Sequence, residues 1–126
     1  MPALYNPPRG FIVTANHAVV DEAYPHFINY DWADGDRGLR NEQMIAARIA
    51  NGGKISAAAF AAIQSDGYSF PAETFVPLLL ELSSDDRQVQ EALDRLRDWD
   101  YQQPVDSVPA ALFEMFYTRL HYNILQ

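Results

Sequence analysis

The chain has 126 residues, of which 48% are apolar and 13% aromatic; this is enough for one domain with a hydrophobic core and argues against a disordered polypeptide. Its net charge of −8, with nine basic residues against seventeen acidic ones, argues against nucleic acid as a partner, because phosphate backbones bind clustered Lys and Arg. There is no cysteine, which excludes disulfides and thiolate metal sites.

Membrane and export signals are also missing from the sequence as written. No apolar run reaches the length of a membrane span, and residues 1–5 lack the basic and apolar regions of an export signal. We therefore expect no membrane partner, and we expect the chain as written to stay in the cytoplasm of its producer.

The first predicted element is a short strand at about residues 11–15. The run Phe11-Ile12-Val13-Thr14-Ala15 is apolar and rich in β-branched residues, and it follows a proline-rich lead-in and Gly10, which is typical of a buried strand. Val19-Val20 is a candidate for a second strand that would make a marginal hairpin with the first. Residues 21–37 are aromatic and turn-rich and predict a loop with at most one helical turn.

Three helices are predicted next. The first spans about 38–50 and ends at Asn51-Gly52-Gly53, because glycine adopts the left-handed conformation without a Cβ clash. The second runs over 57–64 with Ser56 as its N-cap. The third begins near residues 69–70, with a proline in its first turn.

Two further helices complete the chain. The fourth begins at Ser83-Ser84-Asp85-Asp86, since acidic caps favour the positive end of the helix dipole, and Glu91 is spaced to pair with Arg95. Its apolar stripe recurs at helical spacing and consists of Val89, Ala92, Leu93, Leu96 and Trp99. The fifth helix follows the cap Ser107. Its predicted core stripe is Leu112, Phe116, Leu120 and Ile124, widened by Phe113 and Met115.

Several short motifs occur in a fixed order along the chain. They are Asn6-Pro7, the run from Gly10 to Asn16, Tyr24-Pro25, Trp32 with Arg37 five residues later, Asp66-Gly67-Tyr68-Ser69, Pro77-Leu78-Leu79, Leu96-Arg97-Asp98-Trp99-Asp100 and an aromatic-rich last helix. This ordered set resembles the penicillin acylase (penicillin amidase) family of N-terminal-nucleophile amidases. The similar segment of that family lies inside the catalytic β chain, and the resemblance runs from about Asn6 to the C-terminus.

Asn16 is the first candidate site residue. Its carboxamide has two N–H donors, and a fixed donor directed at the oxyanion of amide hydrolysis contributes about 3 to 4 kcal/mol. Position alone favours a turn residue, because asparagine tolerates the left-handed region and bonds its own backbone. The resemblance implies instead that the Asn16 side chain forms half of the oxyanion hole.

Arg37 is the second candidate. By resemblance it matches an arginine near the family's active site that orients the site through hydrogen bonding and charge. A surface arginine paired with Asp34 or Asp36 is the simpler interpretation and would contribute little to stability. Arg40 competes for the same assignment if the register shifts by three residues, but the distance from Trp32 favours Arg37.

The catalytic machinery that the resemblance implies is incomplete here. The family's nucleophile is a serine, or a relative of it, at the free N-terminus of the β chain, where its own α-amino group acts as the base. No residue of this chain matches it, and the backbone donor of the oxyanion hole lies outside the matched region. We therefore expect the chain alone to be inactive.

The resemblance also implies a structural calcium, with one carboxylate ligand shortly after the Tyr-Pro step. Here Tyr24-Pro25 is followed by His26-Phe27-Ile28, so that ligand is expected to be absent. Asp31, Asp34 and Asp36 lack the glycine and distal glutamate of an EF-hand loop, and no two histidines have the spacing of zinc ligands. We expect neither a metal nor another cofactor.

The sequence thus predicts a mainly α-helical single domain over 1–126, with five helices, a strand and loop at 10–37 and a helical lobe at 38–126. By resemblance it is a fragment of an αββα enzyme that hydrolyses a linear N-acyl amide through an acyl-enzyme. The acyl group would come from a β-lactam antibiotic, an acyl-homoserine lactone or a similar compound. The expected partner is the rest of the amidase polypeptide or a split-enzyme subunit, and the parent enzyme is expected in the periplasm or outside the cell.

The alternative hypothesis is a free-standing helical protein-interaction module without catalytic activity. It predicts a soluble monomer with an apolar groove between helices. A fragment would instead leave a strand edge and apolar surface uncovered and is expected to form homodimers when isolated.

Overall fold

The computed structural model describes residues 2–125, apart from the side chain of Asn51. Within this range the chain forms α1 (Asp36–Ile49), α2 (Ala57–Gln64), α3 (Phe70–Leu80), α4 (Arg87–Leu96) and α5 (Val108–Ile124), with a 3-10 turn at Ala50–Gly52 after α1. The predicted mainly α-helical fold with five helices is confirmed. None of the helices in residues 2–125 is long and apolar enough to cross a membrane.

The strand predicted at residues 11–15 is wrong. Residues 11–14 have no regular secondary structure, and residues 19–20 form a bend in place of a second strand. The physical reason is that a strand requires a neighbour to pair its backbone N–H and C=O groups, and the sequence around it supplies none. Among the described residues, β-type pairing is limited to one antiparallel bridge between Tyr68 and Gln102.

The chain consists of two compact units. The N-terminal unit ends at Ser65 and contains the irregular segment, α1 and α2, whereas the C-terminal unit begins at Asp66 and contains α3, α4 and α5. The single domain over 1–126 stays a prediction, and its end residues, Met1 and Gln126, lie outside the described range.

Side-chain caps fix where four of the helices begin. Asp86 starts α4 by accepting a hydrogen bond from the Gln88 N–H at 2.7 Å. A serine begins each of α2, α3 and α5, and its hydroxyl accepts a hydrogen bond from the backbone N–H three residues later. That N–H would otherwise have no partner within the helix. The pairs are Ser56 and Ala59, Ser69 and Ala72, and Ser107 and Ala110. The predicted caps Ser56 and Ser107 are confirmed.

The core of the C-terminal unit is formed where α3, α4 and α5 meet. Its buried residues are Ala72, Val76, Leu96 and Phe113, and aromatic side chains pack against them, among them Phe75, Trp99, Phe116 and Tyr117. The predicted stripe of α5 is confirmed for Leu112, Phe113 and Phe116, which lie in or against the core. It is wrong for Met115 and Ile124, which are 74% and 68% exposed. The predicted pair of Glu91 with Arg95 is also wrong, since Glu91 pairs with Arg87 at 2.7 Å.

Backbone hydrogen bonds join the segment before α3 to the segment after α4. The Ser69 N–H donates to the Tyr101 carbonyl and the Gln103 N–H donates to the Gly67 carbonyl, each at 3.0 Å. The Trp99 indole N–H donates to the Gln102 carbonyl at 2.8 Å. These contacts bring the Asp66-Gly67-Tyr68-Ser69 motif next to the end of the Leu96–Asp100 motif, far apart in sequence, and close the core at that end.

Candidate functional site

The backbone of Asn16 has a left-handed conformation, with φ of 65°. Asparagine adopts this region more readily than other side chains because its short polar group bonds locally, so the turn predicted from the sequence is present. Ala15, directly before it, is buried at 9% exposure, whereas the Asn16 side chain is exposed. A buried anchor therefore precedes an accessible carboxamide.

Arg37 joins this turn to the first turn of α1. Its Nη2 donates to the Ala15 carbonyl at 3.1 Å and to Asn16 Oδ1 at 3.0 Å. The Asn16 carbonyl in turn accepts from the Ala33 N–H at 3.0 Å. These hydrogen bonds close the loop between Asn16 and Arg37 and hold its two ends together.

The contact with Arg37 fixes which way the Asn16 carboxamide faces. A guanidinium has only donors and no acceptor, so only the oxygen of the carboxamide can face it favourably. Nδ2 is on the opposite branch of the planar amide, and its two N–H groups are therefore directed away from Arg37. The arrangement presents a pair of donors whose orientation is set by a fixed positive charge behind them.

A second contact lies beside the first. His17 follows Asn16, Gly38 follows Arg37, and the imidazole of His17 packs on the backbone of α1 at Gly38. A Cβ added to Gly38 would lie 2.5 Å from His17 Nδ1 and 2.6 Å from its Cε1. Nδ1 is buried and has no hydrogen-bond partner among the described residues. Gly38 is thus a position where the close approach of a ring requires the absence of a side chain.

The segment before the turn is attached to the same helix by Arg9. Its Nη1 lies 2.9 Å from Glu42 Oε1, its Nε donates to the Phe11 carbonyl at 3.0 Å, and its guanidinium carbon lies 5.0 Å from the centre of the Phe11 ring. Residues 11–15 are therefore held against α1 by side chains rather than by a partner strand.

The loop between Asn16 and Arg37 encloses a shallow cavity of about 320 Å³. Its lining includes Val20, Tyr24, Phe27 and Trp32, together with the polar groups of Asp21 and His26. The cavity offers an aromatic surface in the segment that follows Asn16. In residues 2–125 no group of three or more His, Cys, Asp or Glu side chains is placed to hold a metal ion, and the absence of a metal stays an expectation.

Comparison with known protein families identifies the chain. The family model described as penicillin amidase matches residues 1–126, the whole chain. The chain belongs to the penicillin amidase family. Comparison with curated proteins and with solved structures found no match. The resemblance inferred from the ordered motifs is therefore confirmed at the level of the family, whose members hydrolyse amide bonds.

The structure brings together the two residues that the penicillin amidase resemblance singled out. Arg37 contacts Asn16, whereas Asp34, one of the acids suggested as its partner, accepts a hydrogen bond from the Asp36 N–H at 3.1 Å. Arg40 lies one helical turn further along α1. The catalytic roles of Asn16 and Arg37 stay predictions. Sequence reasoning missed His17 and Gly38; the available signal was a glycine inside a helix, where alanine is usually more stable.

Proposed function

We propose that this chain is the oxyanion-bearing segment of a penicillin amidase that hydrolyses a linear N-acyl amide through an acyl-enzyme. The observation that supports this is the hydrogen bond from Arg37 to Asn16 Oδ1, which turns the donors of an exposed carboxamide away from the protein's own cation.

In the proposed reaction a nucleophile attacks the carbonyl carbon of the substrate, and the carbonyl oxygen takes the negative charge. Asn16 Nδ2 donates to that oxygen, and the positive charge of Arg37 polarises the carboxamide from behind. Donors that are already oriented require no rearrangement as the charge develops, which is why such groups lower the barrier. Collapse of the tetrahedral intermediate expels the amine and leaves the acyl-enzyme, which water then hydrolyses.

The nucleophile and the second oxyanion donor come from outside this chain in our proposal. They belong to the rest of the amidase polypeptide or to a separate subunit of a split enzyme, in the periplasm or outside the cell. The acyl group is that of a β-lactam side chain, an acyl-homoserine lactone or a similar compound. No metal or other cofactor takes part in these steps.

The test is hydrolysis of a chromogenic phenylacetyl or fatty-acyl anilide by the purified chain, with and without the protein encoded immediately upstream. We expect turnover only in the mixture and its loss in Asn16→Ala. Asn29→Ala is the matched control, because Asn29 is an exposed asparagine of the same loop whose side chain bonds only within its own turn, to Asp31. Turnover by the chain alone, or equal activity of Asn16→Ala and the wild type, would contradict the proposal.

An exposed apolar face on α5 favours a second candidate, the helical interaction module. Met115 is 74% exposed and Tyr122 52% exposed, and both border a cavity of about 760 Å³ together with Phe116, Thr118 and Arg119. An apolar patch rimmed by polar groups is typical of a surface that binds another protein. Light scattering tests it: a monomer without amidase activity in any mixture favours the module, whereas a dimer is expected of an isolated fragment.

A further inference from the structure

We propose that His17 and Gly38 are positioning residues that set the distance between Asn16 and Arg37. The inference rests on the proposed function for its catalytic meaning, but its structural content can be tested independently of activity. It assigns a role to two residues that themselves touch neither the reacting atoms nor the substrate.

The geometry consists of two neighbouring contacts between the same two segments. Asn16 accepts from Arg37, and the next residue of each segment makes the second contact, His17 against Gly38. The bonds of the Ala15 and Asn16 carbonyls hold the backbone of the turn, and the Asn16 side chain itself makes one hydrogen bond with Arg37, about which it can rotate. The second contact, between a planar ring and a helix backbone, removes that freedom, so the carboxamide has one orientation.

Two locally unfavourable features meet in this contact. Glycine inside a helix is less stable than alanine, and a buried nitrogen without a hydrogen-bond partner is unfavourable as well; His17 Nδ1 is such an atom. Locally unfavourable features such as these are concentrated at functional sites. Their coincidence beside the Asn16–Arg37 contact indicates that the close approach serves the geometry of the site.

The contact between His17 and Gly38 leaves no space for a side chain at position 38. The atoms that a new Cβ at position 38 would meet belong to the imidazole ring, which is rigid and lies close to its own backbone. The imidazole can clear a methyl group either by rotating about χ1 and χ2, which takes it away from Gly38, or by moving with the turn, which includes Asn16 at φ 65°. In either case the contact that holds the turn at Gly38 is lost, and we expect the Asn16 carboxamide to leave its wild-type position.

The experiment is a double-mutant cycle on the complete chain, read by NMR of the Asn16 side-chain amide and the Arg37 guanidinium. Gly38→Ala is expected to displace both sets of resonances. Gly35→Ala is the matched control, because Gly35 lies just before the same helix with φ of −82° and no atom within 4 Å of an added Cβ; its spectrum should keep both sets at their wild-type positions.

The second arm adds His17→Ala to each glycine variant. In the Gly35→Ala background we expect His17→Ala to displace the Asn16 resonances, because the contact with Gly38 is lost. In the Gly38→Ala background we expect it to bring the resonances to those same displaced positions, because the clash is relieved while the contact stays absent. If Gly38→Ala does not fold, a folded His17→Ala/Gly38→Ala variant supports the proposal and an unfolded one contradicts it. Unchanged resonances in Gly38→Ala, or equal effects of His17→Ala in both backgrounds, would overturn it.

Activity provides a separate readout. In the mixture with the upstream protein, Gly38→Ala is expected to lower kcat by roughly 10²-fold with little change in KM, as for a small misplacement of a catalytic group, and Gly35→Ala is expected to match the wild type. Displaced resonances in an inactive mixture would count against the proposed function and leave the positioning role supported.

Discussion

The two units of this chain are stabilised by different kinds of interaction. In the C-terminal unit, helices α3, α4 and α5 enclose large apolar side chains, with Phe113 and Val76 almost fully buried. Among the described residues of the N-terminal unit, those that are buried lie far apart in sequence, and Ile45 is the one large side chain beside Ala15 and Gly38. There, hydrogen bonds and an ion pair from Arg9 and Arg37 hold the irregular segment to α1.

The difference matters because these two kinds of interaction contribute unequal free energies. Complete burial of a large apolar side chain contributes about 1.5 to 3 kcal/mol, whereas a typical hydrogen bond contributes about 1 kcal/mol net. The candidate site is therefore carried by the more weakly held unit, as is common for binding and catalytic segments. Sequence changes in the two units should differ in kind: those in the C-terminal unit alter stability, and those around Asn16 alter activity.

The largest effect is expected for Phe113→Ala. Removing a fully buried aromatic ring leaves a cavity and should lower the free energy of unfolding by about 3 to 5 kcal/mol. Urea unfolding followed by circular dichroism at 222 nm measures it. Met115→Ala is the control on the same helix, because Met115 is mostly exposed, and it should change stability by less than about 0.5 kcal/mol. Equal losses in the two variants would contradict the assignment of the core.

The next effect is catalytic and concerns Asn16→Asp. Aspartate retains an oxygen for Arg37 but has no N–H donor, so folding should be preserved while kcat of the mixture with the upstream protein falls by about 10²- to 10³-fold, or roughly 3 to 4 kcal/mol. Asn16→Gly separates the backbone from the side chain, since glycine adopts a positive φ without strain. Both variants should fold and show this loss of kcat; an Asn16→Asp enzyme with the kcat of the wild type would exclude the oxyanion role.

Phe113 and Asn16 also show which parts of the structure could be predicted from the sequence and which could not. Helix starts were predictable wherever a serine or aspartate can accept from the first turn, as at Ser56 and Ser107, because capping is a local interaction. The stripe of α5 was predicted correctly at Phe113 but wrongly at Met115 and Ile124, since many positions of this helix are apolar and periodicity alone does not decide which of them face α3 and α4. Phe113 became the centre of the core through tertiary packing.

The candidate site was predictable in its residues but not in its geometry. Asn16 and Arg37 were identified through the family resemblance, and the left-handed turn follows from the preference of asparagine. A strand at residues 11–15 was predicted because β-branched residues favour pairing, but pairing depends on a neighbour that local composition does not reveal. The contact of His17 with Gly38 joins segments about twenty residues apart, so no local pattern indicates it.

A smaller effect is expected from the serine caps, and it should differ between the units. Ser107→Ala removes the cap of α5, which is packed in the core, and should lower the free energy of unfolding by about 1 kcal/mol. Ser56→Ala removes the same hydrogen bond from α2, a helix without buried residues, and should fray that helix with little effect on the main transition. Amide hydrogen exchange of the first turn of each helix, compared with the urea midpoint, distinguishes the two outcomes.

The smallest effect concerns two arginines that each pair with a glutamate. Arg87 and Glu91 are 89% and 57% exposed, so Arg87→Ala should reduce stability by no more than about 0.5 kcal/mol. Arg9 also bonds the Phe11 carbonyl and lies over the Phe11 ring, so Arg9→Ala should cost about 1 kcal/mol. High salt weakens the ion pairs but affects the ring contact less, so the loss in Arg9→Ala should persist at 1 M NaCl while that in Arg87→Ala disappears. If both losses vanished in salt, the N-terminal segment would be held to α1 by charge alone, and the Phe11 contacts would contribute nothing to placing Asn16.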